Sequence, residues 1–320
     1  MARVAVLEGG RSLERQVSLR SGARVQDALE RLGHEVLPID VGADLVDRLR
    51  AERPDVAFVA LHGQFGEDGT VQELLEVVGV PYTASGVSAC IRCADKVLAK
   101  HAMRDAGIPT PDFYAFNETA FKELGAAGAL PEIEQRLDFP IVVKPASQGS
   151  ALGIKFAGTA ADVPPALVAA FSYGDKVLLE RHVAGRDLAV SVLEGGDGAR
   201  ALPVVEAVPQ GEDFYDFEAR YDIGRTEFVC PADLPDEVTA RAQEIALDAY
   251  RLFGCYGFAR VDLMMETGAG GGELFVLEVN AIPGLTETSL LPQAAEAAGV
   301  DFDEVVARLI ELALARTAPA

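Results

Sequence analysis

Cysteine is scarce in this chain, with four residues in 320: Cys90, Cys93, Cys230 and Cys255. So few thiols exclude the disulfide framework of a small secreted fold. Cys90-Ile-Arg-Cys93 has no matching second pair nearby, which argues against a zinc or redox centre and leaves reduced cysteines in a cytosolic protein as the expectation. Positive charge is short as well: 28 Lys and Arg stand against 50 Asp and Glu, a formal net charge of −22. That balance excludes the long basic stripe that nucleic acid requires. It also means that an anionic substrate must be gathered by a local positive site rather than by the overall field. No uninterrupted apolar run reaches the roughly 20 residues that span a bilayer. Met1-Ala-Arg-Val-Ala-Val-Leu7 runs straight into strand without a cleavage pattern, so neither membrane insertion nor secretion is expected. Two familiar nucleotide fingerprints are missing too. Glu8-Gly9-Gly10 is not part of a G-x-G-x-x-G, and no Gly-Lys-[Ser/Thr] P-loop exists, so those glycines read as a strand-to-helix turn.

What is present is apolar content of 49% over a length that implies two or three domains. Strands alternate with helices through the first ninety residues: Val4–Leu7, a helix over 18–32, strands at Val36–Ile39 and 56–61, and helices over 69–78 and from Val87. This alternation predicts a parallel sheet covered by helices. Gly107-Ile-Pro-Thr-Pro111 is a breaker and a candidate boundary. Beyond it come strands at 113–116, 140–144, 153–156 and 177–180, with helices over 120–124 and 163–171. From Asp187 the pattern turns to longer antiparallel strands, with helices over 235–253 and 302–316. The segment 206–225, rich in Asp, Glu, Gly and Tyr, lacks periodicity and reads as a lid or as disorder.

The chemistry concentrates near the C-terminus. Leu274-Phe-Val-Leu-Glu-Val-Asn280 reads as a strand, so Glu278 and Asn280 project from one face. Gly257-Phe-Ala-Arg-Val-Asp262 is a second strand, joined to the first through a glycine-rich turn, with Arg260 and Asp262 on one face. Two carboxylates and an amide oxygen suit a hard cation such as Mg²⁺ that shares its coordination with phosphates. Lys144 ends an apolar strand and precedes Pro145-Ala-Ser-Gln-Gly-Ser-Ala-Leu-Gly153, a small-residue loop whose N–H groups can approach phosphate closely. Glu180, ending a strand, reads equally well as a surface carboxylate or as an acceptor for a ribose hydroxyl.

Taken together these pieces resemble the ATP-grasp superfamily, and within it the D-alanine–D-alanine ligases, over about 290 residues. The resemblance is carried by Glu8-Gly-Gly-Arg-Ser-Leu-Glu14, Leu61-His62-Gly63, Gly66-Glu-Asp-Gly69, Pro81-Tyr-Thr-Ala-Ser-Gly86, Asp95-Lys96 and Lys144-Pro145. It continues in Phe214-Tyr-Asp-Phe-Glu-Ala-Arg-Tyr221, Arg260-Val-Asp262, Glu278-Val-Asn280, Pro283-Gly284 and Ser289-Leu290. The fold so implied is α/β, turning α+β in its C-terminal part. A Rossmann-like N-terminal parallel-sheet domain (1–95) precedes an ATP-grasp fold of two subdomains (96–182 and 183–320), with a lid at about 206–225.

The resemblance also implies roles. Lys96 and Lys144 would hold the ATP phosphates, Glu180 and Val183 would meet the adenine, and Asp187 the ribose. Asp262, Glu278 and Asn280 would ligate Mg²⁺, commonly two ions, with Mn²⁺ a substitute. Glu14 would take the first D-alanine's ammonium and His62 would sit near its carboxylate. Arg220 belongs to the same substrate pocket, and Ser289 and Leu290 would take the second substrate's carboxylate. Arg260 and the N–H of Gly284 would stabilise the oxyanion, while Tyr221 and Ser150 would link the lid to Glu14. A cytoplasmic homodimer is implied. The chain departs from the family pattern at Gln16 (often Glu), Ala151 (often Ser), Arg220 (usually Lys), Arg181-His182 and Ala281-Ile282. Tyr221 favours an amine nucleophile over D-lactate, for which histidine is usual. The other readings are a ligase with D-serine, D-lactate or another second substrate, a catalytically inactive nucleotide-binding regulator, and simple ATP hydrolysis.

Overall fold

A computed structural model describes residues 1–209, 226–268 and 272–316. Its first sheet is built from three short apolar strands, β1 (Arg3–Glu8), β2 (Glu35–Asp40) and β3 (Val56–Val59), all parallel in the order β2-β1-β3. Val4-Ala-Val-Leu7 and Val56-Ala-Phe-Val59 are fully buried, as expected of strands covered on both faces. Helix α1 (Arg15–Arg31) turns Val17, Ser21, Val25, Ala28 and Leu29 inward at three- and four-residue spacing. It starts three residues earlier than the sequence predicts, since Arg15 and Gln16 contribute no apolar surface and Val17 alone of the three turns inward. Helices α2 (Leu45–Glu52), α3 (Thr70–Val78) and α4 (Val87–Ala94) complete this unit.

Helix α5 (Lys96–Asp105) opens at Asp95, whose Oδ1 accepts from the N–H groups of Val97 and Leu98 at 2.9 and 3.1 Å. Such a cap contributes about 1 kcal/mol, and here it fixes where Lys96 begins the helix. The expected breaker at 107–111 follows, and Pro109 C=O accepts from Val276 N at 2.8 Å. A four-stranded antiparallel sheet comes next, in the order β4 (Phe113–Asn117), β7 (Lys176–Arg181), β5 (Ile141–Pro145), β6 (Lys155–Ala157). Helices α6 (Glu118–Glu123), α7 (Leu130–Leu137) and α8 (Val163–Phe171) accompany it. Its apolar core, with Ile133, Leu137, Ile141, Val143, Leu167 and Leu179, is separate from the main one.

The third sheet is antiparallel, ordered β11 (Thr226–Val229), β10 (Val205–Pro209), β8 (Gly185–Gly195), β12 (Phe258–Glu266), β13 (Leu274–Asn280), with β9 (Gly198–Ala201) beside β8. Residues 206–209 are therefore strand rather than the start of a loose segment; the rest of the expected lid, 210–225, lies outside the described residues. Helix α9 (Asp236–Phe253) packs on this sheet and stops at Gly254, whose φ of 69° suits glycine. Helices α10 (Leu290–Ala297) and α11 (Phe302–Ala315) close the chain. α11 packs Leu309 and Ile310 into one apolar core shared with β1, β3, β8 and β12. No helix among the described residues is long and apolar enough to cross a membrane.

Candidate active site

Strands β12 and β13 set the centre of the site. Their antiparallel register puts Asp262 opposite Glu278 and Arg260 opposite Asn280. The register then shifts between Asp262 and Leu263, so that Leu277 is the extra residue of a β-bulge. The bulge breaks the burial alternation of β13 at Leu277 and Glu278, and both residues line one cavity wall. Arg260 grips Asp262 with both arms of its fork, Nε to Oδ1 at 2.6 Å and Nη2 to Oδ2 at 2.8 Å. Asn280 Nδ2 donates to Asp262 Oδ2 at 3.2 Å, and Lys96 Nζ pairs with Glu278 Oε2 at 2.8 Å. Cations thus already sit on both carboxylates.

The donor set fits Mg²⁺. Two carboxylates and one amide oxygen are hard ligands of the kind that cation takes, and no His or Cys stands among them.

Lys96, Lys144, Gln148, Asp187, Asp262 and Glu278 line a cavity of about 60 Å³ between the second and third sheets. Lys96 Nζ also donates to Gln148 C=O at 2.8 Å, and its N–H donates to Ala146 C=O at 2.9 Å, tying α5 to the loop after β5. In that loop Ser150 and Ala151 both adopt left-handed backbone, with φ of 51° and 58°. Such strain is commonly stored at functional loops. Glu180 is not a surface carboxylate. It is 2% exposed, and Lys144 and Lys100 flank its two oxygens at 2.6 and 2.5 Å. Burial pushes its carboxyl up, but the charges of Lys100 and then Lys144 outweigh that and hold it below the usual range. Val183 is buried beyond the end of β7.

A second cavity, of about 40 Å³, gathers Glu14, His62, Ser150, Arg260, Gly284, Ser289 and Leu290. Ser150 Oγ donates to Glu14 Oε1 in a short hydrogen bond. His62 is clamped on both ring nitrogens, by Ser21 Oγ at 2.9 Å on Nε2 and Glu67 Oε1 at 3.3 Å on Nδ1. Since a carboxylate only accepts, Nδ1 carries the proton of the neutral ring and Nε2 accepts from Ser21. Glu14 lies buried here, and its pKa is raised by burial and by the charge of Glu67, in part offset by the Ser150 bond. Ser289 stands at the N-cap position of the eight-residue α10 without a side-chain cap bond, and Leu290 is the first helical residue. Ser289 Oγ accepts from Thr286 N at 3.0 Å. The N–H groups of a helix N-terminus favour a carboxylate.

Of the expected site residues, all but Tyr221 and Arg220 fall within the described part of the chain; those two lie outside it. Sequence reasoning overlooked Glu67, Ser21 and Lys100. Glu67 sits inside a motif already singled out, and Lys100 follows Lys96 by four residues on one helix face. Nothing local marks Ser21. Cys93 and Cys255 lie with their sulfurs 4.0 Å apart, free and buried, as expected of reduced thiols.

Two antiparallel sheets holding a lysine-lined cleft between them are the architecture of the ATP-grasp ligases. The family models for the D-ala D-ala ligase C-terminus and N-terminus match residues 102–311 and 43–85. A D-alanine–D-alanine ligase of Syntrophotalea carbinolica is 44% identical over 309 residues, covering 96% of this chain and 95% of that protein. Another, of Moorella thermoacetica, is 44% identical over 316 residues, covering 98% and 99%. The solved D-alanine–D-alanine ligase of Bacillus anthracis superposes with a TM-score of 0.81 at 33% identity over 98% of both chains. Its complex with ATP gives 0.81 at 31% identity, again over 98% of both chains. The chain belongs to the D-alanine–D-alanine ligase family.

Proposed function

We propose that this chain joins two molecules of D-alanine into D-alanyl-D-alanine at the expense of ATP, releasing ADP and phosphate, as a step in building peptidoglycan precursor. The observation that carries the reading is the adjacency of two cavities, which have Leu290 in common and are joined by the Arg260–Asp262 pair. One is lined by lysines and carboxylates, the other by a buried glutamate, an arginine and a helix N-terminus. Nucleotide and amino acids can therefore meet at Arg260 and Asp262.

Lys96 and Lys144 hold the phosphates and Asp187 meets the ribose, while the adenine lies toward the chain from Glu180 to Val183, both of which are buried behind the cavity lining. Asp262, Glu278 and Asn280 hold Mg²⁺, for which their hard oxygen donors are suited. When bound, the ion neutralises charge on the phosphoryl group in transfer. Glu14 anchors the ammonium of the first D-alanine, held in place by Ser150, and His62 faces its carboxylate. That carboxylate attacks the γ-phosphate, so the acyl carbon gains a good leaving group. Ser289 and the N-terminus of α10 take the carboxylate of the second D-alanine, whose amine attacks the acyl carbon. Arg260 and the N–H of Gly284 stabilise the oxyanion, a contribution of about 3–4 kcal/mol for a well-placed donor. Arg220 and Tyr221 close the pocket from the lid and exclude water from the acyl phosphate.

The chain is further proposed to divide into units 1–95, 96–182 and 183–320, to form a homodimer, and to act in the cytoplasm, where ATP is supplied and unpaired thiols persist. Phosphate release from Mg-ATP with D-alanine, L-alanine, D-serine or D-alanine plus D-lactate, followed by mass analysis of products, tests the activity. Turnover that needs D-alanine and yields its dipeptide is expected. ATP binding without amino-acid-dependent turnover would refute the reading.

A further inference from the structure

Lys100 has no place in the reaction described so far, yet its side chain is fully buried. It lies one turn after Lys96 on α5, and its Nζ is 2.5 Å from Glu180 Oε2. That contact is ionic rather than a well-aligned hydrogen bond. The same Nζ donates to Thr110 Oγ1 at 2.5 Å, and Thr110 Oγ1 donates to Val276 C=O at 2.8 Å. Val276 is on β13, two residues before Glu278. Lys100 thus joins α5, the second sheet through Glu180, and the strand that carries Glu278 and Asn280.

Glu180 accepts two ammonium groups, which differ in what else they can reach. Lys144 lines the cleft, whereas neither Glu180 nor Lys100 does. Lys144 shares its three donors between Glu180, at 2.6 Å, and the cleft, and a full turn toward an anion there lengthens the bond to Glu180. A buried carboxylate left without a cation carries a desolvation penalty that opposes that movement. With a second ammonium fixed on its other oxygen, Glu180 stays compensated while Lys144 swings away.

We propose that Lys100 is a positioning residue: it neutralises Glu180 from the buried side and so releases Lys144 to bind the phosphates of the nucleotide. The proposal rests on the reading of Lys144 as a phosphate contact. Burial lowers the pKa of Lys100 to about 8, with the charge of Glu180 opposing that shift. The 5.2 Å approach of its ammonium to the Phe113 ring adds a second favourable contact for the charged form.

The test is the ratio of adenosine to ADP dissociation constants, measured by calorimetry on the full-length protein with Mg²⁺ present. A loss of packing weakens both ligands alike, whereas a trapped Lys144 weakens only the one with phosphates. In the wild type ADP is expected to bind more tightly than adenosine. Lys100→Met is expected to shrink that preference at least tenfold with adenosine affinity unchanged. Lys100→Met with Glu180→Gln, which removes the trap, is expected to restore it. Should Lys100→Met fail to fold, Glu180→Gln alone keeps the claim open to refutation, since a smaller preference than in the wild type would contradict it. Equal weakening of both ligands by Lys100→Met, or no recovery in the double variant, would overturn the role of Lys100 while leaving that of Lys144 intact. A wild type that binds ADP no better than adenosine would overturn both.

Discussion

Ser150 Oγ donates a hydrogen bond to Glu14 Oε1 across 136 residues of sequence. It joins the loop after β5 to the start of α1, and so couples the loop beside the phosphate lysines to the carboxylate assigned to the first D-alanine. A hydrogen bond to a charged group contributes about 1.5–3 kcal/mol. Ser150→Ala is therefore expected to raise the KM for D-alanine about tenfold, the equivalent of 1.4 kcal/mol. Initial rates against D-alanine at saturating ATP check this, and an unchanged KM would detach Ser150 from substrate binding.

Glu14 gives the reaction a pH signature. Burial and then the charge of Glu67 raise its pKa above the ordinary glutamate value of about 4.3. In the proposed pocket the ammonium of D-alanine pairs with the ionised carboxylate, so affinity should be complete above the raised pKa and be lost as pH falls through it. Glu67→Gln removes one of the charges that raise it, and the acidic limb of kcat/KM for D-alanine should move to lower pH. A limb that stays in place would assign the titration to another group.

Two glycines leave room for side chains of the site. At Gly63, φ is +69° and an added Cβ would lie 2.3 Å from Glu14 Oε2; at Gly284 it would lie 2.7 Å from Ser289 Oγ. Gly63→Ala should lower stability by about 1–2 kcal/mol for its left-handed backbone and displace Glu14 as well. Gly284→Ala should cut kcat/KM at least tenfold with little change in melting temperature. Thermal unfolding beside steady-state kinetics separates the two outcomes.

Metal dependence follows from the donor set at Asp262, Glu278 and Asn280. Chelation with EDTA should abolish turnover, and Mg²⁺ or Mn²⁺ should restore it. Asp262→Asn should require a higher Mg²⁺ concentration for half-maximal rate, and it also loosens the Arg260 fork. A rate independent of added metal would refute this assignment.

Much of the fold was legible in local pattern. Val163–Phe171 and the strands around Val4 and Val56 are close to their expected bounds because apolar runs flanked by turns leave little choice. Helix α7 went unread because Gly and Ala before it dilute the periodicity. Helix α10 was unread because Pro292 in its first turn looks like a breaker, although proline is tolerated there. Residues 206–209 form a strand only because β8 and β11 lie on either side, information that no local window holds. The same holds for the site. Glu278 and Asn280 share a face by period alone, whereas the burial of Glu180 between two lysines depends on three elements meeting in space.

The acyl phosphate is the core of the proposed mechanism, and it leaves an atomic trace. If the carboxylate of the first D-alanine attacks phosphorus and is later displaced at carbon, one of its oxygens departs with the phosphate. Turnover of D-alanine labelled with ¹⁸O in the carboxylate, with mass analysis of the released phosphate, is the most direct measurement. One ¹⁸O per phosphate at full enrichment is expected. Phosphate free of label, formed alongside dipeptide, would contradict the mechanism.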